Sequence, residues 1–181
     1  FGPVSIRSAL GKSRNIPAIK AYFLAGEQKP IIDLAKKMGI ESLKESVDYG
    51  YPLGLGSGEV SLLEMVRAYG IFATGGIKHA VSPILKIENT RGDILEEWKE
   101  EPGEKVLDPE VAFLISDILS DTGISFGQIM QIEGHTVAVK TGTSTKKLSE
   151  TEIYPSNLWT IGYTSDIVTG VWAGNTDGRQ L

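Results

Sequence analysis

Three β-rich runs close together in the last third of the sequence constrain the fold more than any other feature. They lie at residues 136–143, 158–163 and 167–173, and a polar turn separates the last two. The regular apolar patterns before them have mostly the period of a helix. Consecutive strands that follow a run of helices form an antiparallel sheet with helices packed on it. The sequence therefore predicts an α+β fold, with residues 1–181 in a single domain.

The helices are predicted from apolar stripes and from the residues that begin and end them. Gly11, Gly26 and Gly39 end the first three, and Ser61 begins a later helix through a capping box with Glu64. The predicted helical ranges are 4–10, 17–25, 30–38, 62–74 and 109–122, with a short polar helical turn at 41–47. A hairpin is predicted to join 84–88 to 94–98, and a polar loop is predicted at 145–156.

The composition excludes several classes of function. A formal net charge of -5 and a pI near 5.1 leave no basic surface for a nucleic-acid backbone. The chain has no cysteine and only two histidines, too few for a thiolate or histidine metal centre. We therefore expect no metal, no other cofactor and no nucleic-acid partner. No apolar run approaches the roughly 18 residues of a transmembrane helix, and the missing initiating Met indicates a piece of a longer protein.

The segment Lys140-Thr141-Gly142-Thr143-Ser144, at the end of the first β-rich run, has the most chemical content. Its ammonium and hydroxyl groups form a strip of hydrogen-bond donors, and its glycine leaves room for a substrate backbone alongside the strand. Such a strip suits an anionic, peptide-like ligand. Lys-Thr-Gly also arises by chance in roughly a few per cent of chains of this length, so the tripeptide alone equally fits an ordinary strand end.

Ser13-Arg14-Asn15 occupies the corner between the first two predicted helices. Serine and asparagine are common helix caps, and a Ser-x-Asn arises by chance in a large fraction of chains of this size. By itself the tripeptide therefore indicates a helix boundary as readily as a site.

Five segments in a fixed order give the chain a resemblance to a known family. The order resembles that of the transpeptidase domain of the bifunctional, class A penicillin-binding proteins, and the similarity covers nearly the whole chain. The segments are Ser13-Arg14-Asn15 with Ile16-Pro17-Ala18, Gly54-Leu55-Gly56 with residues 59–64, Ala73-Thr74-Gly75-Gly76, Lys140-Thr141-Gly142-Thr143, and the hairpin from Trp159 to Trp172. Each segment is weak evidence, but five in the right order are hard to obtain by chance.

This resemblance implies a penicillin-binding transpeptidase or serine β-lactamase-like fold and its chemistry. In the family, Ser-x-x-Lys, Ser-x-Asn and Lys-Thr-Gly share one cleft for acyl transfer from a D-alanyl-D-alanine peptide, which β-lactams mimic. It implies that Asn15 binds a substrate amide and that Ser13 relays a proton towards the leaving amine. It also implies that Lys140 supplies positive potential and helps to tune that transfer.

The resemblance further implies a substrate-binding role for Thr141, Gly142, Thr143 and Ser144. The hydroxyls of Thr141 and Thr143 suit the terminal carboxylate of the peptide, and the backbone N–H of Thr143 is the expected second oxyanion donor. Two departures from the family pattern bear on substrate access. Val139 stands where relatives commonly have glycine, and the predicted 145–156 loop is longer than usual.

The family's first element, the Ser-x-x-Lys that contains the nucleophile, is not found ahead of Ser13. The one match in the chain is Ser144-Thr145-Lys146-Lys147. It follows the Lys-Thr-Gly and lies in a predicted polar loop rather than at a helix start, so we reject it as the nucleophile. The chain is therefore expected to be the C-terminal part of a catalytic domain and to be inactive alone.

The leading hypothesis is part of a serine DD-transpeptidase whose parent cross-links peptidoglycan stem peptides through an acyl-enzyme and binds β-lactams. Within the same fold, a DD-carboxypeptidase or β-lactamase-like hydrolase is an alternative. A non-catalytic module that senses β-lactams or scaffolds wall synthesis is another. The family implies the extracytoplasmic face of the bacterial cell membrane, with contact to the membrane only through an N-terminal anchor of the parent.

Overall fold

The helices of the protein come first and its main sheet comes last. The computed structural model describes residues 2–124, 129–147, 153–179 and 181. The helices are α1 (Ile6–Gly11), α2 (Asn15–Leu24), α3 (Gln28–Lys37), α4 (Leu62–Ala73) and α5 (Pro109–Leu119), with a 3₁₀ helix at Tyr51–Leu55. The glycines expected to end the first three helices therefore lie within two residues of the observed ends.

The main sheet has three antiparallel strands, as the sequence predicted. The strands are β5 (Ala138–Lys147), β6 (Ile153–Tyr163) and β7 (Val168–Gly174), in the order β5-β6-β7. Two small sheets lie between α4 and α5. One pairs β1 (Ile77–Lys78) with β4 (Glu104–Lys105), and the other is the predicted hairpin of β2 (Lys86–Glu88) and β3 (Ile94–Glu97). The α+β class is confirmed.

Two predictions of local structure are wrong. Residues 41–47 form turns and bends instead of a helical turn, because their first backbone N–H groups bond to a side chain of α4. Much of the predicted 145–156 loop is strand, since β5 continues to Lys147 and β6 already begins at Ile153. Ladder hydrogen bonds need no apolar face, so this polar extension gave no hydrophobic alternation to detect. Residues 148–152 of that prediction lie outside the described residues.

An aromatic cluster joins the sheet to the helices that cover it. Tyr163 of β6 stacks on Phe72 of α4 with ring centroids 6.5 Å apart and meets Tyr69 edge-on at 6.1 Å. Its hydroxyl lies 3.0 Å from the Ser116 hydroxyl of α5, and burial raises the pKa of Tyr69 to about 12. Ala138, the partner of Tyr163 in the β5–β6 ladder, packs in the same cluster. The start of β5 is thereby fixed against α4 and α5.

A second apolar cluster holds α2, α3 and the 3₁₀ helix together. Ile32 is fully buried at its centre, against Tyr22, Leu43 and Leu53. Gly54 permits the close approach, because a Cβ at that position would lie 3.0 Å from the Tyr22 Cβ. This cluster fixes the orientation of α2, whose N-terminus carries the Ser13 corner.

The Glu64 carboxylate joins the N-terminus of α4 to the segment that follows α3. It accepts hydrogen bonds from the backbone N–H groups of Glu41, Ser42 and Ser61, each at 2.9 Å, and from both serine hydroxyls. Burial by itself would raise the pKa of Glu64, but the hydrogen bonds from Ser42, Ser61 and Glu41 outweigh it and lower the pKa to about 2. The predicted capping box is confirmed, and it also serves as a joint between two segments.

We expect Glu64→Gln to lower the free energy of unfolding by about 2 kcal/mol at pH 7, because hydrogen bonds to a charged acceptor are lost. Folding lowers this pKa, so the ionised carboxylate stabilises the fold above pH 4.5, and this contribution disappears as the pH falls from 4.5 towards 2. Urea unfolding at pH 7 and at pH 3 measures both effects. The exposed Glu59 provides the control, since Glu59→Gln should change stability by less than about 0.5 kcal/mol. A Glu64→Gln deficit of equal size at both pH values would contradict this account.

Candidate active site

The Ser13 corner is a fixed turn between α1 and α2. Ser13 has a left-handed backbone, with φ of 52°, which is unusual for a residue with a side chain. Its N–H donates to the Leu10 carbonyl at 3.1 Å, and the Arg14 N–H donates to the Ala9 carbonyl at 2.9 Å. Gly11 is buried at the end of α1, where an added Cβ would lie 2.8 Å from Ile124. Strained backbone of this kind concentrates at functional sites.

An ion pair joins α1, the helix before this corner, to α5. Arg7 of α1 bonds to the carboxylate of Asp117 on α5, and its other terminal nitrogen lies 3.3 Å from the Asp121 carboxylate. Because α5 also packs on the sheet, α1 and β5 share a common support. The Ser13 corner and the sheet are therefore held in one arrangement.

Lys140 of β5 reaches across to this corner. Its Nζ donates a hydrogen bond to the Ser13 hydroxyl, although 127 positions separate the two residues in the sequence. It also donates to the Thr141 carbonyl at 2.6 Å. Asn15, two residues after Ser13, is the exposed first residue of α2. The structure thus brings Lys140 to the Ser-x-Asn segment that sequence analysis singled out independently.

The Lys140 ammonium is partly withdrawn from water. Burial lowers the pKa of Lys140 below the ordinary lysine value of 10.5. Among the residues that the structure describes, no carboxylate lies within ion-pair distance of Lys140. A desolvated cation without a protein counter-ion attracts an anionic ligand, and it releases a proton more readily than a free lysine does.

The next four residues form an accessible strip on the outer strand of the sheet. Within the described residues, β5 pairs with β6 alone, which leaves its other edge unpaired. Thr141 is half-buried, whereas Gly142, Thr143 and Ser144 are exposed. Alternation along the strand places the two threonine side chains on the face opposite to Lys140 and Ser144. An extended peptide can bond to such an edge through its backbone.

Val139 does not obstruct this strip. It is 2% exposed and lies opposite Gly162 in β6, where a Cβ on the glycine would be 3.6 Å from the Val139 Cγ2. The valine that stands here in place of the family's usual glycine is thus accommodated inside the core. The side chain fills space that Gly162 leaves open, and it supports β5 directly before Lys140.

Sequence analysis missed three polar side chains that surround the end of the strip. Ser156 and Asn157 of β6 and Trp172 of β7 form a hydrogen-bonded group with Ser144. The signal that could have found them is weak, since it consists of a Ser-Asn pair directly before the predicted strand at 158–163 and a tryptophan 15 positions later. Only the strand register brings these residues together.

The contact between Lys140 and Ser13 lies at the surface, since Ser13 is exposed and Lys140 is half-buried. A cavity of about 400 Å³ lies elsewhere, between α2 and the 3₁₀ helix, and its lining includes Tyr22, Glu27 and Asp48. In the part of the chain that the structure describes, no group of three metal-ligating side chains occurs. The described residues of the candidate site offer a lysine, several hydroxyls, an amide side chain and backbone donors.

The chain as a whole matches a known protein family. The family model described as the penicillin-binding protein transpeptidase domain matches residues 2–180. The chain belongs to this family. The order of the five segments in the sequence indicated this family, and the match confirms it.

The curated relatives of this transpeptidase-family chain include class A penicillin-binding proteins. Penicillin-binding protein 1A/1B of Bacillus subtilis is 34% identical over 188 residues, and penicillin-binding protein 1A of Aquifex aeolicus is 32% identical over 185 residues. The alignments cover 96% and 100% of this chain but only 20% and 23% of the relatives. The chain thus spans about a fifth to a quarter of their length.

Solved penicillin-binding proteins share the fold. PonA1 from Mycobacterium tuberculosis has a TM-score of 0.83 and 24% identity, over 99% of this chain and 50% of that one. Penicillin-binding protein 1A from Haemophilus influenzae has a TM-score of 0.78 and 24% identity, over 98% of this chain and 31% of that one. At these identities the likeness concerns the fold, and it confirms the predicted antiparallel sheet flanked by helices.

Lys140 is partly buried, and no carboxylate among the described residues pairs with it. We therefore expect Lys140→Met to change the free energy of unfolding at pH 7 by less than about 1 kcal/mol. Lys78 provides a matched control, since its ammonium bonds to the Lys37 carbonyl at 2.9 Å and to Glu104 at 2.7 Å. We expect Lys78→Met to destabilise the protein more than Lys140→Met does. Urea unfolding measures both variants. A larger loss for Lys140→Met would indicate that Lys140 serves mainly to hold β5 to the Ser13 corner.

Proposed function

We propose that this chain is part of the transpeptidase domain of a serine-type D-alanyl-D-alanine transpeptidase. The observation that carries the proposal is the hydrogen bond from Lys140 Nζ to Ser13 Oγ. It joins two segments that the family places in one catalytic cleft, and neither segment needs the other for its local structure. The family match over residues 2–180 supports the same reaction class.

In the proposed reaction, a serine hydroxyl attacks the carbonyl between the two terminal D-alanines. A C–O bond to the carbonyl forms and the C–N bond breaks, so the hydroxyl proton has to reach the departing amine. Ser13 can pass a proton because its hydroxyl both donates and accepts. Lys140 bonds to that hydroxyl, and its lowered pKa brings its own proton transfer closer to neutral pH. Attack of an acceptor amine on the acyl-enzyme then forms a new C–N bond and breaks the C–O bond, and a proton from the amine returns to the serine, which completes the cross-link.

The strip after Lys140 is proposed to hold the peptide. Thr141 and Thr143 offer hydroxyls to the terminal carboxylate, Asn15 bonds a substrate amide, and the Thr143 N–H stabilises the developing oxyanion. Gly142 and Ser144 complete the strip along the open edge of β5. Solved relatives include PonA1 in complex with penicillin V and penicillin-binding protein A of M. tuberculosis as an imipenem acyl-enzyme complex. We infer that β-lactams occupy the same strip in this protein.

The nucleophile is proposed to come from residues of the parent protein outside this sequence. No serine ahead of Ser13 has a lysine three positions later, and the matched relatives are four to five times longer than their aligned part. We likewise place the domain on the outer face of the bacterial membrane, where peptidoglycan is built. In the described residues, no helix has both the length and the hydrophobicity needed to span a membrane.

In the parent protein, Lys140→Met should slow acylation by a labelled penicillin roughly ten- to a hundredfold. Loss of one charge-assisted hydrogen bond in the transition state corresponds to about 1.5 to 3 kcal/mol. The second-order rate constant of acylation is the measurement, and Lys99→Met, at an exposed position, provides the control that should leave it unchanged. Equal acylation rates for the parent and for Lys140→Met would show that Lys140 ends the buried part of the strand but does not contribute to acylation.

The 181-residue chain by itself should form no covalent adduct with a penicillin. Ser13 is held by Lys140 but has Ile16 three residues later, so it lacks the lysine that activates the family's nucleophile. Intact-mass measurement after incubation with the β-lactam tests this expectation, with the parent protein as the positive control. An adduct that maps to Ser13 or Ser144 would overturn the assignment of the nucleophile to another part of the parent.

A further inference from the structure

Strand β6 carries one extra residue opposite the end of the substrate strip. Ser144 of β5 is the partner of Asn157, and Thr145 is the partner of Pro155, so Ser156 has no partner in the ladder. A bulge of this kind bends a strand and redirects its side chains, and bulges are enriched next to active sites. Ser156 is only 7% exposed. A buried hydroxyl at a bulge needs specific hydrogen-bond partners.

Among the described residues, the partners of Ser156 lie at the end of the strip. The Ser156 hydroxyl is 3.2 Å from the Ser144 hydroxyl and 3.4 Å from the Ser144 carbonyl oxygen. The Asn157 Nδ2 donates to the Ser144 hydroxyl at 2.7 Å and to the Ser156 hydroxyl at 3.2 Å. The side chain of Ser144 is therefore held from β6. Since a single peptide bond joins Ser144 to Thr143, the position of Ser144 constrains the Thr143 backbone.

Strand β7 fixes the orientation of the Asn157 amide. The Trp172 indole N–H can only donate, and it lies 3.1 Å from the Asn157 Oδ1. The amide oxygen is thus occupied, which directs Nδ2 towards Ser144. The indole has little freedom, because it lies across Gly174, where a Cβ would be 2.5 Å from the Trp172 Cζ2. A chain of hydrogen bonds therefore runs from β7 through β6 to the last residue of the strip.

We propose that Asn157 is a positioning residue for acyl transfer, which acts through Ser144 to set the backbone of Thr143. This proposal rests on the proposed function. An oxyanion donor is effective only within a few tenths of an ångström of its place, and a displacement of about 1 Å can cost a hundredfold in rate. The Lys140 end of the strip is anchored by the core, through Val139 and Ala138. The far end has no such burial, and Asn157 supplies the anchor there.

The test compares Asn157→Ala with the unaltered parent protein in acylation by a labelled penicillin. We expect the second-order rate constant of acylation to fall about tenfold. Ser144→Ala and the double variant complete a double-mutant cycle. A residue that acts through Ser144 loses its effect on the rate when the Ser144 hydroxyl is absent. In the Ser144→Ala background, Asn157→Ala should change the rate less than twofold. Asn175→Ala, directly after β7, provides the matched control and should leave the rate unchanged.

Amide hydrogen exchange on the same proteins separates this proposal from the proposed function. Alternation along the edge strand directs the Ser144 N–H towards β6 when the Thr143 N–H faces the substrate. We expect exchange at the Ser144 amide to become at least tenfold faster in Asn157→Ala, with no change in the helices α2 and α3. Unchanged exchange at this amide would overturn the positioning role, whatever the parent does with penicillin. A tenfold rate loss that persists in the Ser144→Ala background would overturn it as well. A parent that never forms an adduct, but shows the exchange difference, would overturn the proposed function and leave the anchor intact.

Discussion

The arrangement of this protein depends on the buried contact between Tyr163 of the sheet and the two helices that cover it. Tyr163 packs on Tyr69 and Phe72 of α4, and its hydroxyl bonds to Ser116 of α5. Aromatic contacts of this kind combine a large buried area with a preferred geometry. Because α5 also holds α1 through Arg7, the same support carries the Ser13 corner and the strand that ends in the Lys-Thr-Gly. The candidate site exists where these two parts meet.

At the candidate site the structure tolerates two features that do not favour folding. Lys140 is half-withdrawn from water without a carboxylate partner in the described residues, and Ser13 adopts a left-handed backbone. Both features are unfavourable for folding by themselves, and each is tolerated because the surrounding core fixes it. Polar groups elsewhere in the fold behave differently. Glu64, for example, receives hydrogen bonds from two segments and strengthens their joint.

The strip itself is anchored in two ways. Its beginning follows the buried residues Ala138 and Val139, so apolar packing fixes it. Its end is exposed, and there hydrogen bonds from a bulge in β6 and from the neighbouring Asn157 take the place of burial. Among the described residues the outer edge of β5 is unpaired, so support for this strand comes from β6 and β7 behind it.

The sequence determined the element types, their order and the family. The helix-ending glycines, the Ser61 capping box and the three β-rich runs act through contacts within a few residues, and such signals can be read directly from a chain. The polar ends of β5 and β6 are predicted as a loop, since a ladder of mostly polar residues leaves no apolar alternation in the sequence.

Tertiary structure alone decided how these pieces form a site. It placed Lys140 on Ser13, turned Val139 into the core, and left Ser156 as a bulge beside Asn157. None of this follows from local spacing. Whether two side chains 127 positions apart meet depends on how the elements between them pack. The lowered pKa of Lys140 has the same origin, since burial is a property of the assembled fold and not of the residues next to it in sequence.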